Sequence, residues 1–147
     1  MSAATALMQA LLGPAASVER AREALDEALQ SGVDPMHWCA VRQGLPDAEV
    51  MRRAAAWADL TYFDRIPRGT GEPLEPGRPE LLAQVRLYRL RLLDREVAFA
   101  APDFFGMLRL AAARHQRPEL RRRLCLVPAP ALRDYLVDRS GAALIDG

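Results

Sequence analysis

Two cysteines, Cys39 and Cys125, and two histidines, His37 and His115, are the side chains of this 147-residue sequence best suited to nucleophilic chemistry. A Cys–His pair needs the imidazole within hydrogen-bond reach of the sulfur and a third group to orient it. His37 and Cys39 stand two apart, and residues two apart on a helix point in different directions. Neither cysteine falls in a CxxC or other metal-ligand spacing. Both have apolar neighbours, so they are expected as small buried residues in a reducing compartment. No catalytic cysteine is expected.

Carboxylates are the next candidates. Asp64, Asp94, Asp103 and Asp134 each fall at a turn or a helix start, where aspartate has a backbone to hydrogen-bond. No Asp-x-Asp pair offers metal ligands for a nucleotide sugar. All twenty basic residues are Arg. Without lysine there is no P-loop lysine, no Schiff base and no pyridoxal site. No catalytic residue, metal or cofactor is therefore expected. Abundant Arg, Ala and Pro together read as the product of a GC-rich genome.

Charge is distributed unevenly. Net charge is only +1, yet residues 1–60 hold five Arg against eight acids and residues 61–147 fifteen Arg against eleven. The densest basic run is "RHQRPELRRR", Arg114–Arg123. Cations near a helix C-terminus complement the helix dipole, so a solvated ledge is the plain reading. Nucleic acid is not expected as its partner, because no aromatics are interleaved with the arginines. An acidic protein partner or anionic lipid headgroups fit better. Trp38, Trp57, Tyr62 and Phe63 are expected in the core rather than in an aromatic binding patch, with Trp57 as a plug between helices and sheet.

These residues need elements to position them. "SVERAREALDEALQSG" is a helix capped by Ser17, with Val18, Ala21, Leu25, Ala28 and Leu29 on one stripe and Gly32 past its end. "VDPMHWCAVRQG" is a second, with Asp34 as cap, Pro35 in the first turn and Gly44 as the stop. "LPDAEVMRRAAAWADL" is a third, with Val50, Ala54 and Trp57 inward. Residues 1–60 thus form a helical subdomain. "TYF", Thr61–Phe63, is a short β-prone stretch. "RIPRGTGEPLEPGRPE" should be loop, and residues 61–84 read as a connector that also holds a short helix.

Residues 85–147 are the α+β core. Leu87–Leu93 alternates, with Tyr88, Leu90 and Leu92 on one side and Arg89 and Arg91 on the other, which marks a half-buried strand. A turn at Asp94-Arg95 leads to a second, antiparallel strand, Val97–Ala100. Pro102 ends it, Asp103 caps a helix, and Phe104, Leu108, Ala111 and Ala112 form that helix's stripe. "LCLV", Leu124–Val127, is a third strand, and "PALRDYLV" a final short helix. The expectation is an N-terminal helical subdomain followed by a three-stranded β-β-α-β-α sheet covered by helices.

At Gly44–Val137, "GLPDAEVMRRAAAWADLTYFD" and "VRLYRLRLLDREVAFAAPDFFGMLRLAAARHQRPELRRRLCLVPAPALRDYLV" resemble the N-terminal domain of type II secretion and type IV pilus assembly ATPases. This Arg- and Ala-rich version is most similar to the one fused to bacterial family-2-type membrane glycosyltransferases. The resemblance implies a non-catalytic regulatory or protein-interaction domain of a larger bacterial protein, a membrane glycosyltransferase first and a secretion ATPase as the alternative. Some family members bind cyclic di-GMP through an Arg-Leu-Gly-led helical motif. No Arg-Leu-Gly occurs here, and "DPMHW" stands where the triplet is expected. A cyclic-dinucleotide-binding module is thus a further alternative, but no nucleotide-binding residue is carried over. Such binding, if it occurred, would have to use Arg42, Arg52 and Arg53.

The opening "MSAATALMQALLG" lacks a basic n-region and its apolar stretch is short, so neither a secretory leader nor a membrane span is expected. The expected location is cytoplasmic, at the inner membrane only through the host protein. The expected partners are the other domains of the host or a protein partner, with an anionic membrane surface as an alternative. The expected contact surface is Arg89, Arg91, Arg114, Arg117, Arg121, Arg122 and Arg123.

Overall fold

A computed structural model describes residues 2–66, 72–73, 87–92 and 95–134, with backbone alone for 72–73, 87–92 and 95–97. Four helices come first: α1 (Ala3–Leu12), α2 (Val18–Gln30), α3 (Pro35–Gln43) and α4 (Asp47–Ala58). Their starts follow from local chemistry. Ser2 accepts from the Thr5 amide, Ser17 from that of Arg20, and Asp34 from those of Met36 and His37, satisfying donors that have no partner within a helix. Only α4 begins without a side-chain cap; Asp47 and Glu49 in its first turn complement the dipole instead. It ends at Asp59, whose φ of 56° and ψ of 49° put a non-glycine residue in the left-handed region.

The helix the sequence pattern did not mark is α1, and it is the most enclosed. Leu7, Met8 and Leu11 are fully buried, and α1 packs on α2, α3, α4 and a later helix, Phe104–Gln116. Its neighbours approach through small side chains: Ala21, Ala24 and Ala28 of α2 and Ala54 of α4 have no exposed surface, and Ala55 almost none. The expected stripe of α2 needs correction at its end. Leu29 is 48% exposed, whereas Ala24 is buried. With α1 lying on the alanine side, the contact face of α2 runs through positions 21, 24 and 28 and excludes 29. Trp57 is half-buried rather than a plug; Val50, Met51, Ala54 and Ala58 close the inner face of α4.

The class is α+β, as expected. The strands are β1 (Thr61–Tyr62), β2 (Glu72–Pro73), β3 (Leu87–Leu92), β4 (Arg95–Ala100) and β5 (Leu124–Leu126), in the spatial order β1-β5-β4-β3-β2. The three expected strands are present, and two short pieces extend the sheet to five among the described residues. Glu72–Pro73 was expected as loop. It instead pairs with Arg91 and Leu90 as an edge strand, where a proline's missing donor is tolerated.

The hairpin is antiparallel, with Leu87 opposite Ala100 and Leu92 opposite Arg95. Arg95 therefore belongs to β4 rather than to the turn; Leu93 and Asp94 lie outside the described residues. Side-chain directions along β3 lie outside them as well. The outer half of the sheet is parallel, β5 pairing with β4 on one side and β1 on the other. That geometry needs a crossover, supplied by α5 (Phe104–Gln116) and α6 (Leu120–Arg123). Residues 129–134 are again helical.

In α5, Phe104 and Met107 are buried, Leu108 and Ala111 half-buried and Ala112 exposed, so Met107 takes the place the stripe assigned to Ala112. Buried residues from Leu7 to Leu132 join in one hydrophobic cluster, with α4 in contact with α5, β1 and β5. Helices α4 and α6 pack on β1, β4 and β5, and the α5–α6 end is open to solvent at Arg117, Arg122 and Arg123. Among the described residues no helix is long and apolar enough to cross a membrane.

Candidate functional site

The open end is built by α5 and α6. Asp103 starts α5, its Oδ1 accepting from the Gly106 amide at 2.7 Å. The helix runs to Gln116, with Arg114 and His115 in its last turn, and Pro118 then prevents its continuation. Leu120–Arg123 forms one further turn and passes directly into β5. Five arginines therefore occupy ten residues at a helix C-terminus, with Glu119 as the single acid among them.

Asp59 organises this ledge. Its left-handed backbone turns the chain from α4 toward β1 and leaves the carboxylate beside α5 and α6. Arg114 Nη2 donates to Asp59 Oδ2 and its Nε to the Asp59 carbonyl, while Arg121 Nη1 lies 3.5 Å from Asp59 Oδ1. Thr61 Oγ1 donates to the Arg121 carbonyl at 2.9 Å. Arg114, its side chain 22% exposed, is thus turned toward the body of the protein, while Arg121 reaches Asp59 with its side chain still 61% exposed. Arg117, Arg122 and Arg123 are exposed, with no acidic partner among the described residues.

Sheet register decides where Arg89 and Arg91 stand. Arg89 is opposite Ala98, and Ala98 is opposite Leu124, the residue that follows Arg123. Arg91 lies one step further toward that same end, opposite Glu96. The backbone therefore places both positions at the end of the sheet where α6 enters β5, two strands and roughly 10 Å away. The side chains of Arg89 and Arg91 lie outside the described residues.

The nucleophile candidates are not assembled into a site. Cys39 is fully buried, and its Sγ donates to Met8 Sδ at 3.6 Å; His37 and His115 are both exposed. Burial, reinforced by the negative charge of Asp34, pushes the Cys39 thiol up to about 12. Burial also raises the thiol of Cys125 in β5. At neutral pH both remain protonated, and a protonated thiol is a poor nucleophile.

Several of the carboxylates have structural partners. Asp34 Oδ2 caps α3 while its Oδ1 accepts from the Phe104 amide of α5 at 2.9 Å, so one side chain serves two helix starts. Asp64 accepts from the Tyr62 hydroxyl at 2.8 Å; burial first, and then Asp64, raises that phenol. Asp47, Asp64, Asp134 and Arg65 line a cavity of about 470 Å³ at the start of α4. A second, of about 460 Å³, is lined by Asp34, His37, Asp47, Asp103 and Arg133. Among the described residues no three His, Cys, Asp or Glu side chains group closely enough to hold a metal. Asp94 lies outside the described residues.

Arg42, Arg52 and Arg53 do not form a cationic pocket. Arg42 stacks 5.4 Å from the Trp38 ring, Arg52 pairs with Glu49, and Arg53 bridges Glu49 and the Leu11 carbonyl. The hydrogen bond from Arg52 holds the Glu49 carboxyl below its ordinary value. No protein-family model matches the chain, and no curated protein or solved structure matches it. The residues that sequence reasoning missed are Asp59 and Thr61. Aspartate tolerates the left-handed region better than most residues, and that was the one available signal for Asp59.

Proposed function

We propose that the chain is a non-catalytic interaction domain of a larger bacterial protein, with the arginine ledge as its contact surface. The observation that carries this reading is the Asp59 clasp. It links α4, α5 and α6 beside Arg117, Arg122 and Arg123, so that the exposed arginines of this run stand on connected helices. A prearranged surface loses less conformational entropy on binding than a loose one. The order β3, β4, α5, β5 and helical residues 129–134 is the order that the resemblance to the secretion-ATPase N-terminal domain implies. That likeness supports a bacterial membrane glycosyltransferase as host, with a secretion ATPase second.

Two measurements test the reading. The coding sequence around this chain should specify a nucleotide-sugar domain with membrane spans, or a lysine-containing P-loop. Titration of the chain against that encoded domain should show binding that weakens when Arg117, Arg122 and Arg123 are changed to Glu. Arg121 is left intact because it pairs with Asp59. Unchanged affinity in the triple variant would reject the ledge as the contact surface.

A further inference from the structure

The ledge carries charge without an apolar anchor. The exposed large hydrophobic residues among those described are Leu29, Val41, Phe63 and Phe105, and none belongs to residues 114–123. Specific protein interfaces are built around buried aromatic or aliphatic anchors with charges at the rim. Single-stranded nucleic-acid grooves interleave aromatics for base stacking. Among the described residues neither device is present on this surface. Arg122 and Arg123, consecutive on one helical turn, point about 100° apart, and with Arg117 they offer spread-out cations, which suits an extended field of anions better than one acidic side chain.

From these observations we infer that the ledge docks on an anionic lipid surface, with Arg117, Arg122 and Arg123 meeting headgroup phosphates. This rests on the reading of the ledge as a contact surface and names its partner. Guanidinium matches phosphate in a bidentate geometry, and every basic residue of the chain is an arginine. The remainder of the charge favours one orientation. The acids Glu19, Glu23, Asp26 and Glu27 are exposed on α2, which packs on α1 and α3 and not on the ledge. An anionic leaflet attracts the ledge and repels α2. Arg114 and Arg121 stay with Asp59 and form the base on which the other three stand.

Cosedimentation with phosphatidylcholine vesicles, with and without phosphatidylglycerol, tests the inference. The chain is expected to sediment only with the anionic vesicles and to be released as salt rises, since screening shortens to about 8 Å at physiological ionic strength. Each basic side chain near an anionic leaflet strengthens partition about fivefold, so Arg117→Gln/Arg122→Gln/Arg123→Gln should lose about a hundredfold. The matching lysine triple should retain binding, which separates lost charge from lost fold. Arg20→Gln/Arg22→Gln/Arg42→Gln makes the same charge change elsewhere and should bind as the parent does. Equal losses in the two glutamine triples would overturn the inference, as would capture by duplex DNA with no capture by vesicles. If the chain ignores anionic vesicles while the ledge variants still weaken its binding to the host domain, the lipid assignment falls and the contact-surface reading stands. If neither partner binds, both fall.

Discussion

Replacing Asp34 with alanine should damage two helices at once. The side chain caps α3 through Oδ2 and holds the Phe104 amide of α5 through Oδ1, seventy residues away in sequence. Loss of an N-cap costs about 1 kcal/mol. Phe104 has no exposed surface, so its amide would be left without a partner and without water, a further cost of about 1–3 kcal/mol. The sum is about 2–4 kcal/mol. Ser17→Ala is the internal standard, because Ser17 caps α2 and its side chain makes no bond to another helix among the described residues. That change should cost only about 1 kcal/mol. Asp34→Asn, which keeps one carbonyl oxygen, should fall between the two. Urea unfolding followed by circular dichroism gives each value from the midpoint at constant slope. An Asp34→Ala cost no greater than that of Ser17→Ala would refute the double role.

Four other outcomes follow from the same structure. Gly106→Ala should lose about 1 kcal/mol in the same urea assay, although alanine ordinarily favours a helix; its Cβ would lie 2.9 Å from Asp103 Oδ1 and 3.1 Å from Pro102 Cβ, displacing the cap. A disulfide reagent at pH 8 should label neither cysteine until denaturant is added. Because folding raises the Cys39 thiol from 9.0 to about 12, its contribution to stability is complete below about pH 9 and is lost as pH rises toward 12, which unfolding midpoints across that range would show. Asp59→Asn keeps a residue that tolerates the left-handed backbone but removes the charge facing Arg114 and Arg121. Exposed pairs of this kind contribute little, so its stability in the urea assay should fall by less than about 1 kcal/mol.

Much of the fold could be read from local chemistry. Ser17, Asp34-Pro35 and Asp103 announce their helices because capping is decided within four residues. The hairpin could be read because alternation on Leu87–Leu92 and the break at Pro102 frame it. What escaped reading depends on distant partners. Thr61–Tyr62 was legible as β-prone, but its parallel pairing comes from β5 some sixty residues later, and Glu72–Pro73 joins the sheet only because β3 passes beside it. The first helix carries Leu7, Met8 and Leu11 in a stretch apolar on nearly every side, so no face stood out; total burial explains that pattern. Val41, 66% exposed on α3, shows the reverse case, an apolar residue with no neighbour to cover it. For the site, the run Arg114–Arg123 was visible as charge. Its division into two arginines paired with Asp59 and three with no acidic partner among the described residues was not, because it depends on where the carboxylate of Asp59 arrives.

The alanine faces of α2 and α4 reverse the usual way of mapping a core. Scanning with alanine reports on atoms removed, and at Ala21, Ala24, Ala28 and Ala54 there is nothing beyond Cβ to remove. These contacts would be silent in such a scan, although α1 is held against them. Added carbon would find them. A valine or leucine there must move a neighbouring backbone, at about 1–3 kcal/mol for each overfilled position. The helical half of the chain is therefore limited by how much volume it can accept. Its tolerance for larger residues should lie at outward positions such as Leu29 and Val41, with the seam around α1 closed to them.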